Sequence, residues 1–235
     1  MNYFDKSMID FLLKHVSRSY NFYYSMNFIS ENNNLLKGGV FAILIWYFWF
    51  KPNRVLSEKR VNILATLISI FFVMIITLML AGLAPFRPRP FLNPEFLFSS
   101  SDGTSPYLSK LSSFPSDHAA LFMSLSTGFF FVSKKAGVIT LLYSIILIFF
   151  PRVYLGYHYP TDILAGAFLG ASITFIFNRS RFIKKVISKK IIPFSEAYQP
   201  YFYAMLFVIT FEIADLFAGS RNLLSFLYHL FKHDR

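Results

Sequence analysis

The chain has 235 residues, 55% of them hydrophobic and 20% aromatic, and a mean hydropathy of +0.48. That is too apolar for a soluble domain of this length and indicates an integral membrane protein. The absence of cysteine excludes a disulfide framework and a thiolate metal site. The net charge of +11 lies mostly in short segments between apolar runs, which favours membrane orientation over nucleic-acid binding.

Residues 1–34 come first. The start lacks a basic stretch followed by an apolar core, so no cleaved signal peptide is expected. Ser7 followed by Ile9, Leu12, Leu13 and Val16 predicts a capped amphipathic helix, with Lys14, His15 and Arg18 on or near its polar side. Tyr20, Phe22, Tyr23 and Tyr24 suit a membrane interface. The stretch reads as an interfacial arm on the outer membrane surface, with a plain packing arm as the competing reading.

Six apolar runs follow, at about 35–50, 61–84, 119–132, 136–153, 163–177 and 201–218. The first ends on Trp46, Tyr47, Trp49 and Lys51, an interfacial anchor, and the first and third are short enough to need tilt or flanking residues. The expected architecture is all-α, a bundle of about six transmembrane helices over residues 35–219, with 220–235 as a tail. The connecting loop 51–60 holds four basic residues, loop 134–135 two and loop 179–190 six. If all six runs cross, these fall on one side, and the positive-inside rule makes that side cytoplasmic. The termini and the segments around 85–114 and 155–160 then face outward.

Those outward segments carry the chemistry. Arg152, His158 and Asp162 stand as Arg-x5-His-x3-Asp. Pro160 can open a helix, since its missing N–H would be unpaired there, which puts Asp162 in the first turn. A carboxylate accepting from one imidazole nitrogen of His158 would fix the tautomer and leave the other free to attack. In Phe-Pro-Ser-Asp-His, Pro115, Ser116 and Asp117 form a second helix start, where free N–H groups favour an anion. Ser116 can cap that helix or bond a phosphate oxygen, and His118 is placed to protonate a leaving oxygen. In Pro85-Phe86-Arg87-Pro88-Arg89-Pro90, prolines hold a rigid non-helical stretch whose two guanidinium groups can clamp phosphate oxygens. Basic residues on the outer side run against the positive-inside trend, which favours a functional role over a lipid anchor.

Together the three segments resemble the type 2 phosphatidic acid phosphatase superfamily, whose signature is Lys-x6-Arg-Pro, Pro-Ser-Gly-His and Ser-Arg-x5-His-x3-Asp. The order matches over residues 82–162. The resemblance implies a lipid phosphatase in which His158 forms a phosphohistidine, Asp162 orients it and His118 is the general acid. Arg89, Ser116 and Arg152 would bind phosphate, Arg87 could assist, and no metal or other cofactor would be needed. Three positions depart from the signature: Gly82 stands where the lysine is expected, Pro151 replaces the serine, and Asp117 replaces the glycine. The Pro-Ser-Asp-His form is similar to the bacitracin-resistance type of undecaprenyl diphosphatase, which suggests an isoprenoid diphosphate as substrate and a bacterial inner membrane as location. An extra carboxylate beside a polyanion is awkward unless Asp117 pairs with an arginine or the incoming water. A lipid-linked phosphotransferase and a non-catalytic carrier or sensor of phospholipid headgroups are the alternatives. Expected partners are the bilayer and a lipid phosphate or diphosphate, with no nucleic acid. Glu212 and Asp215 read as structural acids pairing with an arginine near the outer surface, Gly166 and Gly170 as close-packing positions, and His15, His229 and His233 as surface residues.

Overall fold

The protein's structure, a computed structural model, describes residues 2–16, 19–32, 34–52, 56–96, 98 and 108–219. Among the described residues the chain is helical and contains no strand, as an all-α membrane protein requires. Two helices form the N-terminal arm, α1 (Tyr3–His15) and α2 (Tyr20–Asn27). The bundle follows with α3 (Val40–Phe50), α4 (Leu56–Leu83), α5 (Asp117–Val132), α6 (Lys134–Tyr143), α7 (Phe150–Tyr154) and α8 (Pro160–Arg179). Two short helices, α9 (Arg181–Val186) and α10 (Ile192–Ala197), lead into α11 (Gln199–Ala214).

Among the described residues three stretches are long and apolar enough to cross a bilayer: Ser57–Leu83, Lys134–Tyr154 and Pro160–Arg179. Leu35–Phe50 is a shorter apolar helix. At 16 residues, α5 reaches only about 24 Å, less than the hydrocarbon thickness. It packs against α4, α6 and α8, and Leu121, Phe122 and Leu125 are buried among them. The fourth run continues from α6 through a π-helical stretch, Ser144–Phe149, into α7. Pro151 explains that widening, because its ring and missing N–H do not fit a regular α-helical turn.

Helices α4, α5 and α8 each run between the same two ends. One end holds the basic segments beside Leu56, Val132 and Arg179; the other holds the three chemistry-bearing segments beside Leu83, Asp117 and Pro160. Helices α5 and α8 touch closely because of two glycines. A Cβ on Gly166 would sit 2.2 Å from the Ser116 carbonyl oxygen, and one on Gly170 would sit 2.1 Å from that of Ala120. Gly170→Ala must therefore push α8 away from α5. The expected cost of such overpacking is roughly 1–3 kcal/mol, read as a fall of about 2–12 °C in the thermal midpoint of the detergent-solubilised protein.

The structure corrects three expectations. Helix α1 starts at Tyr3, not at Ser7, because Asn2 Oδ1 accepts the Asp5 N–H at 2.7 Å and caps it there. The arm is also tied down, since Asp5 and Ile9 are buried and α1 packs on α7 and α8. Segment 179–190 is helical rather than a plain loop: α9 and the π-helical stretch Ile187–Ile191 lay Ile187 against the core and leave Phe182 exposed. At the end of α11, Asp215 accepts from the Asn34 side-chain amide at 2.8 Å rather than from an arginine. Arg18, residues 53–55, residues 99–107 and the 220–235 tail with His229 and His233 lie outside the described residues.

Candidate active site

The spacing Arg-x5-His-x3-Asp is the geometry of one helix end and the next helix start. Helix α7 stops at Tyr154, and Gly156 takes a φ of +73°, the left-handed conformation that glycine adopts without strain. The chain then folds back so that the Tyr157 and His158 N–H groups both donate to the Arg152 carbonyl, at 2.9 and 3.2 Å. Three residues after Tyr159, Asp162 Oδ2 accepts the Tyr159 N–H at 2.8 Å and closes the first turn of α8. His158 is thereby fixed on a five-residue loop between two helices, with Arg152 below it.

Backbone hydrogen bonds join the other two segments to this loop. The Ser113 N–H donates to the Arg87 carbonyl at 2.9 Å, the Phe91 N–H to Gly156 at 3.0 Å, and the Ser116 N–H to Asp162 at 3.2 Å. Arg89 Nη1 donates to the Tyr157 carbonyl at 3.0 Å. Arg89, Ser116, Arg152, His158 and Asp162 are all buried. The fields acting on the His158 ring come from Arg89, Asp117, Arg152 and His118, so the predicted residues from all three segments do converge.

Both histidines are anchored through Nδ1. His158 Nδ1 lies 2.8 Å from the Ser113 carbonyl oxygen, which can only accept, so Nδ1 carries the proton and Nε2 the lone pair. Burial, then the Arg89 charge, hold His158 well below the ordinary histidine range, so it is neutral at pH 7. His118 Nδ1 lies 2.7 Å from Asp117 Oδ1, and its Nε2 is 2.6 Å from Arg152 Nη2, whose N–H it accepts. Burial and the Arg152 cation push the His118 pKa down to about 4, against the opposing pull of Asp117. The carboxylate that replaces the signature glycine is thus the partner of His118.

Other predicted residues are used differently from the expectation. Asp162 Oδ2 is 4.0 Å from His158 Nδ1, beyond hydrogen-bond range, and the Ser113 carbonyl takes the orienting place. Arg87 does not join Arg89 and Arg152. Its Nη1 donates to Asp162 and, at 2.9 Å, to Thr161, while Nη2 reaches Asp5 at 2.6 Å. The two carboxylates hold it in charge-assisted hydrogen bonds, and its guanidinium also stacks on Tyr159 at 4.1 Å. The Ser116 hydroxyl caps α5 by accepting the Ala119 N–H at 3.3 Å.

Three residues escaped the sequence reading. Asp5 reaches from α1 to accept from the Thr161 N–H and hydroxyl at 2.9 and 2.7 Å. Glu31 accepts from Arg152 Nη1 at 3.0 Å. Lys37 is buried at the start of the first apolar run, with Nζ donating to the Ser30 carbonyl at 2.9 Å. Only Lys37 left a signal, a charge inside an apolar run. Gly82, where the signature has lysine, faces open space: an added Cβ would meet nothing within 4 Å.

The site thus gathers a buried neutral histidine whose Nε2 carries the lone pair, a second histidine beside a carboxylate, and two guanidinium groups. The model of the PAP2 superfamily matches residues 61–185, and the chain belongs to that superfamily. Among curated proteins it is similar to the undecaprenyl-diphosphatase of Sulfolobus acidocaldarius, 30% identical over 134 residues, 55% of this chain and 62% of that one. It is also similar to the undecaprenyl-diphosphatase BcrC of Bacillus subtilis, 27% identical over 139 residues, 59% of this chain and 66% of the relative. A third relative is the bacitracin transport permease protein BcrC of Bacillus licheniformis, 40% identical over 81 residues, 32% of this chain and 39% of that one. The matched segments thus span 39 to 66% of these relatives' lengths. No solved structure matches the chain.

Proposed function

We propose that the protein is a membrane lipid phosphatase that removes the terminal phosphate of an isoprenoid diphosphate, undecaprenyl diphosphate in the first instance, through a phosphohistidine on His158. The observation that carries this reading is the tautomer of His158: Nδ1–H is held by the Ser113 carbonyl, and a neutral Nε2 lone pair lies in the field of Arg89 and Arg152. In the first step Nε2 forms a bond to the terminal phosphorus while the bond to the bridging oxygen breaks. That oxygen leaves on the lipid phosphate, taking a proton from His118. Arg89 and Arg152 stabilise the equatorial oxygens. His118 then removes a proton from water, which attacks phosphorus, breaks the P–N bond and releases inorganic phosphate.

The names of two relatives support the diphosphate substrate. The separation of the site from the basic segments along α4, α5 and α8 supports an outward-facing site in a bacterial inner membrane. Oriented that way, the site would meet diphosphate headgroups of the outer leaflet. The test is phosphate release by the purified protein from undecaprenyl diphosphate, phosphatidylglycerophosphate, phosphatidate and lipid A, with a chelator present throughout. Release from the diphosphate, at the highest kcat/KM of the panel, is expected. No release from any of them would favour a headgroup carrier instead.

A further inference from the structure

The signature lysine is missing at Gly82, and one buried cation of the site end has no role in the mechanism above. Lys37 lies at the start of Leu35–Phe50, and its ammonium is buried yet forms no ion pair among the described residues. Its bond is to the Ser30 carbonyl at 2.9 Å, and Arg152 Nη2 donates to that same oxygen at 3.1 Å. Two cations therefore converge on one acceptor. The same Arg152 nitrogen touches His118 Nε2 at 2.6 Å, so the pair stands on the His118 side of the site. The charge of Lys37 is felt at the His118 ring. Beside it, the Ser30 hydroxyl is buried without a hydrogen-bond partner among the described residues.

Holding an ammonium away from water with a single neutral acceptor is costly, and so is an unpaired hydroxyl. Both costs are relieved by an anion that brings several oxygens between Lys37, Arg152 and Ser30. His118 marks the leaving-group end, because it protonates the bridging oxygen. The phosphate on the lipid side of that oxygen is the one that meets Lys37 and Ser30, with Arg152 spanning it and the phosphoryl group transferred to His158. We propose that Lys37, with Arg152 and the Ser30 hydroxyl, forms a subsite for the phosphate that the lipid retains, and that this subsite makes the protein select diphosphates over monophosphates. The inference rests on the phosphatase reading above. It places the charge missing at Gly82 on a different helix and a different phosphate.

The test uses a matched pair, farnesyl diphosphate and farnesyl monophosphate, with the full-length protein in detergent. The wild type should prefer the diphosphate, and Lys37→Met should lower the diphosphate-to-monophosphate ratio of kcat/KM by about 30-fold, the worth of one charge-assisted hydrogen bond to phosphate. Lys37→Arg should recover part of that ratio. An unchanged ratio, whether both activities fall together or neither falls, overturns the subsite. A second measurement needs no variant: methylenebisphosphonate should inhibit the wild type at least about tenfold more tightly than inorganic phosphate, and equal inhibition overturns the proposal. A wild type that hydrolyses monophosphate but shows no diphosphate preference defeats the subsite alone. One that hydrolyses neither defeats the phosphatase reading and the subsite with it.

Discussion

His158→Ala should abolish phosphate release, by about 10⁴-fold or more, since a displacement that depends on a covalent intermediate has no substitute nucleophile. The geometry makes the loss specific to chemistry. His158 is held by its own backbone N–H on the Arg152 carbonyl and by the chain fold at Gly156, and neither depends on the imidazole. Alanine does leave the Ser113 carbonyl without its ring partner, at a cost of about 1–3 kcal/mol. His158→Asn, whose amide can still donate toward that carbonyl, is therefore the control that keeps folding and activity apart. Brief incubation with lipid labelled in its terminal phosphate should give an acid-labile, base-stable phosphoprotein in the wild type and none in either variant. Full activity in a folded His158→Ala protein would sink the assignment.

The backbone frame of this site was legible because local chemistry sets it. Pro160 opens α8 where a proline is tolerated, Asp162 closes the first turn, and Ser116 caps α5. The small residues Gly166 and Gly170 let the two helices that start at the site touch. What could not be read is which atom each side chain chooses once several compete. The orienting acceptor of His158 is a backbone carbonyl 45 residues away, and every residue has one, so no residue type marks it. Arg87 looked like a phosphate ligand because its nearest neighbours in sequence are Arg89 and prolines. Its fate was decided by Asp5, 82 positions earlier, whose carboxylate could not be placed without knowing that α1 folds over α8. Glu31 and the Ser30 carbonyl meet Arg152 across more than a hundred positions of chain, and Lys37 joins them only because it reaches that same carbonyl. Segment 179–190 was misread for a different reason: its basic residues mask the apolar positions, such as Ile187, that pin it to the core.

The second large effect concerns the proton. Sequence reasoning asks for one neutral and one protonated histidine at the outset, yet in the free protein His118 accepts from Arg152 and has its pKa pushed down to about 4. The proton must then be taken up together with substrate. When a phosphate draws Arg152 away, His118 loses its cationic neighbour and gains an anionic one, and both changes raise its pKa. Protonation of His118 is needed for the leaving group, so activity is lost as pH rises through its pKa. The basic limb of kcat, which reports the bound complex, should therefore lie well above that of kcat/KM, which reports the free protein and substrate. Asp117 favours the protonated ring, so Asp117→Asn should move the basic limb of kcat down by about one pH unit. His118→Ala should lower kcat with a lipid diphosphate by about 10²–10⁴-fold, while p-nitrophenyl phosphate, whose leaving oxygen needs no proton, should lose much less in the phosphorylation step, read as a burst of nitrophenolate. If the His118 variant lost activity equally on both leaving groups, or Asp117→Asn left the limb in place, His118 would not be the acid. The carboxylate that departs from the signature would then serve only to hold its neighbour.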